Sequence, residues 1–135
     1  MYKNILVPIV FDSKLDNSKG LQVANRVGTD DAKTTLLHVI ERLPNYVLPY
    51  VPEDTAKARR VELLSEMENL LRDFSNAEGK IVTGHPGRTI LDYANENAID
   101  LIIVKSHRPG FEDYFLGSTA NYIVRHAKCA VHVIR

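Results

Sequence analysis

The sequence predicts an α/β protein with a doubly wound, five-stranded parallel sheet flanked by four helices. Two observations lead to this fold class. Short apolar runs of strand length alternate along the chain with segments of helical periodicity. Most of these runs are continuously apolar, which is typical of strands that are buried on both faces. A βαβα order at this chain length implies right-handed crossovers, which place helices on both sides of the sheet.

Five segments are predicted to be strands. They are Asn4–Val10, Thr34–Ile40, Lys80–Thr83, Leu101–Val104 and Ala130–Ile134. The fifth follows the last helical segment, and we expect it to lie at an edge of the sheet. An exposed apolar edge strand can pair with another chain.

Four helices are predicted from apolar residues that recur every three or four positions and so share one helix face. The stripes are Leu21, Ala24 and Val27; Leu63, Met67, Leu70, Leu71 and Phe74; Ile90, Leu91 and Ala94; and Ala120, Ile123, Val124 and Ala127. Residues 41–55, ERLPNYVLPYVPEDT, carry three prolines and two tyrosines. They are too proline-rich for a helix and too apolar for a disordered tail. We expect an ordered surface segment that is either functional or packed against the sheet edge.

The composition limits the class of protein. The chain has 135 residues, 44% of them hydrophobic, which suffices for a single domain over residues 1–135 with its own core. Its 17 basic and 17 acidic residues cancel, which disfavours a nucleic-acid partner, because such proteins usually carry a basic excess. The lone Cys129 fits a reducing compartment, so we expect a cytoplasmic protein. No apolar stretch is long enough for membrane insertion.

The richest candidate site follows the fourth predicted strand. In open parallel sheets, ligands bind beyond the carboxyl ends of the strands, where the strand order reverses. Ser106, His107 and Arg108 come at that end, together with Lys105. A hydroxyl, an imidazole and a guanidinium fork can all donate hydrogen bonds to phosphate oxygens.

A second polar cluster, Gly117-Ser118-Thr119, opens the fourth predicted helix. Glycine lets the backbone approach a ligand closely, and free amides at a helix start attract anions. If the loop over residues 109–116 folds back, the two clusters form one anion-binding pocket. The alternative is that Ser118 or Thr119 only caps the last helix.

The C-terminal segment VKSHRPGFEDYFLGSTANYIVRHAKCAVHVIR resembles the signature of the universal stress protein family. It is most similar to the small subgroup in which an S-[HR]-x-P segment precedes L-G-S and a final R-H-A-x-C-x-V-x-V-x-R. Nucleotide-binding members of the family carry the pattern G-x2-G-x9-G-[ST]. The first two predicted strands and the Gly84-His85-Pro86 turn are also similar to the family, so the resemblance spans the whole chain.

This resemblance implies a sheet in the order 3-2-1-4-5, with ATP and magnesium or manganese between the first and fourth strands. It also implies a homodimer that pairs through the C-terminal strand, with Val131 and Val133 facing the partner. The alternative is that these two valines only pack under the last helix. Val39 would meet the adenine, and Pro8 and Ile9 would border the base and ribose. The phosphates would be surrounded by Ser106, His107, Arg108, Gly117, Ser118 and Thr119.

Two positions depart from the family pattern. The family's first strand commonly ends in V-P-x-D, whose carboxylate points into the nucleotide site, but Val10 stands at that position here. Asp12 follows two residues later, so either a shifted turn lets Asp12 serve or this polar contact is missing. Lys105 stands at the first glycine of the pattern, where its ammonium reaches either a phosphate or solvent.

Three functions follow as hypotheses. The first is an ATP-binding, dimeric module of stress response or signalling that acts on a protein partner. The second, favoured by Val10 and Lys105, is the same fold without nucleotide affinity, serving as a dimeric interaction module. The third is a slow ATP hydrolase, although neither G-x4-G-K-[ST] nor G-x-G-x-x-G occurs. No zinc centre is predicted, since the histidines lack the helical zinc spacing and Cys129 has no cysteine mate.

Overall fold

A computed structural model describes residues 1–11, 16–106 and 116–135. Strands and α-helices alternate throughout these ranges. They are β1 (Tyr2–Pro8), α1 (Ser18–Val27), β2 (Gly28–Ile40), α2 (Glu53–Leu71), β3 (Ala77–Thr83), α3 (Pro86–Glu96), β4 (Leu101–Lys105), α4 (Ser118–His126) and β5 (Ala130–Ile134). Every strand pair is parallel, and the order is β3-β2-β1-β4-β5. Both the predicted fold class and the order implied by the resemblance are confirmed.

The apolar runs are continuous because each face of the sheet carries its own hydrophobic cluster. Successive side chains of a strand point to opposite faces. Ile5 of β1 therefore joins the cluster under α1 and α2, while the adjacent Leu6 joins the cluster under α3 and α4. Ile103 and Ile102 of β4 divide between the two faces in the same way. Because helices cover both faces of the sheet, a ligand can reach it at the ends of the strands and not at its faces.

The strands begin earlier than the apolar runs suggest. β1 was predicted over Asn4–Val10 but covers Tyr2–Pro8. Pro8 ends the strand, and only one further bond, from the Ile9 amide to the Leu37 carbonyl (2.9 Å), continues the pairing. β2 and β3 extend towards their amino ends through residues 28–33 and 77–79, which are mostly small or charged and which hydrophobic periodicity does not detect. The prediction for β5, in contrast, matches its observed bounds.

The proline-rich segment between β2 and α2 is a surface segment with a short 3₁₀ helix, Leu48–Tyr50. Its predicted end at Thr55 is wrong, because α2 already begins at Glu53. The side chains of Tyr46 and Tyr50 are 78% and 85% exposed, so neither tyrosine covers the sheet edge. Among the helices of the described ranges, none is long and apolar enough to cross a membrane.

Candidate functional site

A cleft opens at the carboxyl end of the sheet, between its two most central strands. β1 lies beside β4, yet the helices that follow them cover opposite faces, α1 on one side and α4 on the other. The connections after β1 and β4 therefore diverge and leave a crevice, which is the usual ligand position in such sheets. The cavity there has a volume of about 740 Å³.

Most of the residues predicted from the sequence line this cleft. They are Pro8, Ile9, Val10, Val39, Lys105, Gly117, Ser118 and Thr119. Ser106 is buried, with 4% of its surface exposed, and is not among the residues that line the cavity. Asp12, His107 and Arg108 lie outside the described residues.

The two polar clusters meet through Ser106. Its carbonyl accepts a hydrogen bond from the Gly117 amide, and its own amide donates to the Ile134 carbonyl at 2.8 Å. Ser106 thus joins the end of β4 to β5 on one side and to the start of α4 on the other. The described parts of the two clusters are brought to one place, as the sequence predicts.

The first turn of α4 presents unsatisfied amides to the cleft. The residue at the N-cap is Gly117, which has no side chain to cap the helix. Ser118 and Thr119 occupy the first two helical positions, so the alternative interpretation that one of them is the cap is wrong. The first amides of a helix lack intrahelical partners and carry the positive end of the helix dipole. This end of the cleft is suited to an anion.

Part of the cleft is apolar. Leu37 of β2, Leu63 of α2 and Ile90 of α3 line it, and all three side chains are at most 3% exposed. Ile9, with 6% exposed, closes the wall from the end of β1. The cleft therefore has an apolar half and an anion-binding half, which suits a ligand that is itself divided into a flat apolar group and a charged chain.

Two polar side chains hold the chain in place just after β1. The ring Nδ1–H of His38 donates to the Ile9 carbonyl at 3.1 Å, since a carbonyl oxygen can only accept. The His38 ring also packs against Phe11, with 5.3 Å between the ring centroids. The side-chain amide of Asn17 donates to the Val10 carbonyl at 3.0 Å. His38 and Asn17 both line the cleft, and the sequence analysis assigned neither to it.

Lys105 points neither to open solvent nor to the helix end. Its ammonium donates to the backbone carbonyl of Asp16, which ties the end of β4 to the segment before α1. Partial burial of the ammonium lowers the pKa of Lys105 below 10.5, and Lys19 adds to this, although the Asp16 carboxylate opposes it. The Asp16 carboxylate is held by the hydroxyl and the amide of Ser18, and these two hydrogen bonds lower its pKa.

We expect Lys105→Met to flatten the pH dependence of stability on the alkaline side. Between the lowered pKa of Lys105 and 10.5, the unfolded chain binds more protons than the folded protein. The contribution of Lys105 to the free energy of unfolding therefore rises with pH in that window, and the substitution removes this rise. Urea unfolding between about pH 8 and the ordinary lysine pKa measures it. Lys128→Met, which changes an exposed lysine after α4, should keep the rise. An unchanged slope in Lys105→Met would contradict the burial of this charge.

Two charged residues reach the cleft from elements that local patterns do not connect with it. Arg59 comes from α2, where it pairs with Glu62 at 3.1 Å. Glu41 follows the end of β2. In the sequence, Arg59 is distinguished only by its place in a basic pair, Arg59-Arg60. The rest of the helix has the pattern of one that packs on the sheet. Within residues 1–11, 16–106 and 116–135, no three histidine, cysteine or acidic side chains lie together to hold a metal ion.

The sheet order and the position of the cleft define a doubly wound α/β protein with a cleft where the strand order reverses, the usual ligand position in this class. Within that class, the chain belongs to the universal stress protein family, whose sequence profile matches residues 1–135. It is 30% identical to "Universal stress protein G" of Escherichia coli O157:H7 over 146 residues, which cover all of both chains. It is 31% identical to "Universal stress protein A homolog 2" of Coxiella burnetii over 142 residues, 99% of this chain and 95% of that protein.

Solved structures of the same fold agree. The universal stress protein UspA from Lactobacillus plantarum has a TM-score of 0.75 at 30% identity, with 99% of this chain and 98% of that chain covered. A universal stress protein family protein from Arabidopsis thaliana, solved with AMP bound, has a TM-score of 0.65 at 22% identity over 98% and 90%. The universal stress protein from Archaeoglobus fulgidus in complex with dAMP has a TM-score of 0.64 at 16% identity over 99% and 98%. The last two likenesses concern the fold alone.

Proposed function

We propose that this protein binds ATP in the cleft between β1 and β4 and acts as a module of stress response or signalling in the cytoplasm. One observation carries the proposal. The cavity joins an apolar wall directly to the first turn of α4, where Gly117 leaves the helix without a side-chain cap. An adenine fits the apolar half, and a triphosphate fits the helix end, where the dipole and the free amides favour negative charge.

In this arrangement the adenine lies near Val39, and the base and ribose lie against Pro8 and Ile9. The phosphates lie at Gly117, Ser118 and Thr119. Val10 brings no carboxylate to the ribose side, but the amide of Asn17 lies on that wall and supplies a polar group there. Family members solved with AMP and with dAMP support an adenine nucleotide as the ligand class. The cation that accompanies ATP would be held by the phosphates, because the described residues contain no ligand cluster of their own.

The test is ligand binding by the wild type. ATP added at millimolar concentration should raise the melting temperature, because a ligand that binds only the folded state stabilises it by mass action. Isothermal titration then gives the affinity, and mass spectrometry of the freshly purified protein identifies any nucleotide that remains bound. No thermal shift, no heat of binding and no retained nucleotide would favour the interaction-module hypothesis. Rapid multiple-turnover release of phosphate would favour the hydrolase.

We also propose that the protein forms a homodimer through β5. This strand lies at the edge of the sheet, so one row of its backbone groups has no strand beside it. Val131 and Val133 are half-buried and pack against the cluster under α3 and α4, which leaves the strand edge rather than these side chains as the main contact. Sedimentation equilibrium should give twice the 15.2 kDa mass of the chain. A single-chain mass at micromolar concentration would contradict the dimer.

A further inference from the structure

A second cavity lies beside the cleft on the side of α3. It has a volume of about 850 Å³ and lies between the end of β3, the start of α3 and the first turn of α4. Glu41, Pro86, Ser118 and Thr119 line both cavities. The two cavities therefore adjoin at the helix start that we assign to the phosphates. A phosphate chain that begins in the cleft can therefore extend past the start of α4 into the second cavity.

Two exposed arginines line the second cavity. Arg42 enters it from the segment after β2, and Arg88 enters it from the first turn of α3. In the part of the chain that the structure describes, neither guanidinium lies within ion-pair distance of a carboxylate. Arginine presents a planar fork of donors that matches phosphate oxygens. Because neither arginine is paired with a carboxylate of the described residues, both can bind a phosphate.

The balance of charge in the cavity favours a small anion over a long acidic segment. Glu41 and Asp92 also line it, so the two arginines are matched by two carboxylates. An acidic peptide would bring several negative charges close to these carboxylates, which costs free energy. A single phosphate held between the arginines brings less negative charge near these carboxylates and so reduces that repulsion. The hydroxyls of Thr83 and Thr89 lie on the same walls and are able to donate to its remaining oxygens.

The walls of the second cavity are held by close packing between α3 and α4. A Cβ atom at Gly87 would lie 2.6 Å from the Cδ1 atom of Tyr122, so the backbone of α3 lies directly against that ring. The Tyr122 ring also packs against His85 at 6.0 Å and against His126 at 4.6 Å between centroids. Such close-packed contacts leave little freedom to the helix starts. The backbone at Arg88 and Thr119 is thus held in place before any ligand arrives.

We propose that the second cavity binds a fourth phosphate, so that the joined cavities prefer adenine nucleotides whose phosphate chain is longer than that of ATP. The inference rests on the proposed binding of ATP in the cleft. The fourth phosphate belongs either to adenosine 5′-tetraphosphate, where it is terminal, or to diadenosine tetraphosphate, where it is linked to a second nucleoside. Arg42 and Arg88 are the residues that bind it.

The experiment compares affinities by isothermal titration. Adenosine 5′-tetraphosphate should bind the wild type about tenfold more tightly than ATP, because it adds one charge-assisted contact. Arg42→Gln and Arg88→Gln should each remove most of this advantage and leave the affinity for ATP within about twofold. Arg72→Gln is the matched control, since Arg72 is exposed beyond α2 and lines neither cavity. Diadenosine tetraphosphate distinguishes the two sources of the fourth phosphate. Its affinity should equal that of adenosine 5′-tetraphosphate only if the second cavity binds a phosphate that is linked to a second nucleoside.

The possible failures are distinguishable. If ATP binds and the tetraphosphate binds no more tightly, or if its advantage survives in both arginine variants, the second cavity is not a phosphate site and the ATP proposal stands. If neither nucleotide binds, the ATP proposal fails, and a titration with inorganic tripolyphosphate decides the inference. Binding that is lost in the double variant Arg42→Gln/Arg88→Gln supports a phosphate site at the second cavity. Absent binding, or binding unchanged in that variant, overturns it.

Discussion

Gly117→Glu is expected to weaken ATP binding by at least about a hundredfold while the protein remains folded. The new carboxylate would stand at the start of α4, where the phosphates are proposed to bind. Two like charges about 4 Å apart near a protein surface repel by several kcal/mol, and each 1.4 kcal/mol is a tenfold change in affinity. The backbone at Gly117 has φ −58° and ψ 156°, which any residue adopts without strain. A carboxylate at a helix start also interacts favourably with the dipole, so the fold tolerates it.

Gly117→Gln is the matched control, because it adds nearly the same volume without the charge. Its loss of affinity should be much smaller than that of the glutamate variant, and the difference between them isolates electrostatic repulsion. Circular dichroism and the melting temperature without ligand check that both variants fold. Unchanged ATP affinity in Gly117→Glu would place the phosphates elsewhere in the protein.

Ile5→Ala is expected to lower the free energy of unfolding by about 2–5 kcal/mol. Ile5 lies in β1, between β2 and β4, and its side chain is fully buried. Removing its methylene and methyl groups loses transfer free energy and leaves a cavity that neighbouring side chains fill only in part. Domains are stable by only about 5–15 kcal/mol, so this is a large share of the total. Urea unfolding at neutral pH measures the loss as a lower midpoint at an unchanged slope.

Val61→Ala serves as the control for Ile5→Ala. Val61 lies on α2 with 66% of its side chain exposed, so its truncation should change the stability by less than about 0.5 kcal/mol. Ile5 pairs with Thr34 in the middle of β2 and with Leu101 at the start of β4, and it does not line the cleft. The folded fraction of Ile5→Ala should therefore bind ATP with wild-type affinity. Equal losses of stability in the two variants would contradict the position of Ile5 in the core.

Cleft residues at the strand ends and at the start of α4 were predictable from the sequence, whereas those that reach the cleft from other places were not. Gly117, Ser118 and Thr119 carry a local signature, since glycine and hydroxyl residues are typical of a helix start, although the same residue types also serve as caps. The amide of Asn17 and the guanidinium of Arg59 carry no such signature. Asparagine before a helix is usually a cap, but the side chain of Asn17 turns to the Val10 carbonyl instead. Only the folded chain distinguishes these two uses of the same residue.

The contact of Lys105 was likewise not predictable from the sequence. Its position at the end of β4 was evident from the apolar run before it, but the partner of its ammonium was not. The Asp16 carbonyl lies 89 residues away along the chain, and the two meet because α1 packs beside β4. Arg42 and Arg88 are likewise separated by the whole of α2 and β3, and they line one cavity because β2 and β3 are neighbours.

By itself, the amino-acid sequence determined the class of this protein, the burial of its central strands on both faces and the end of the sheet at which the cleft opens. These properties follow from the alternation of apolar and polar residues over short distances, which the sheet and the helices translate directly into buried and exposed surfaces. The tertiary structure alone decided which distant side chains share a cavity, which amides remain uncapped and where the Lys105 ammonium finds its partner. Such contacts depend on strand order and helix packing. The residues that make them are far apart in the chain, so no periodic pattern in the sequence indicates them.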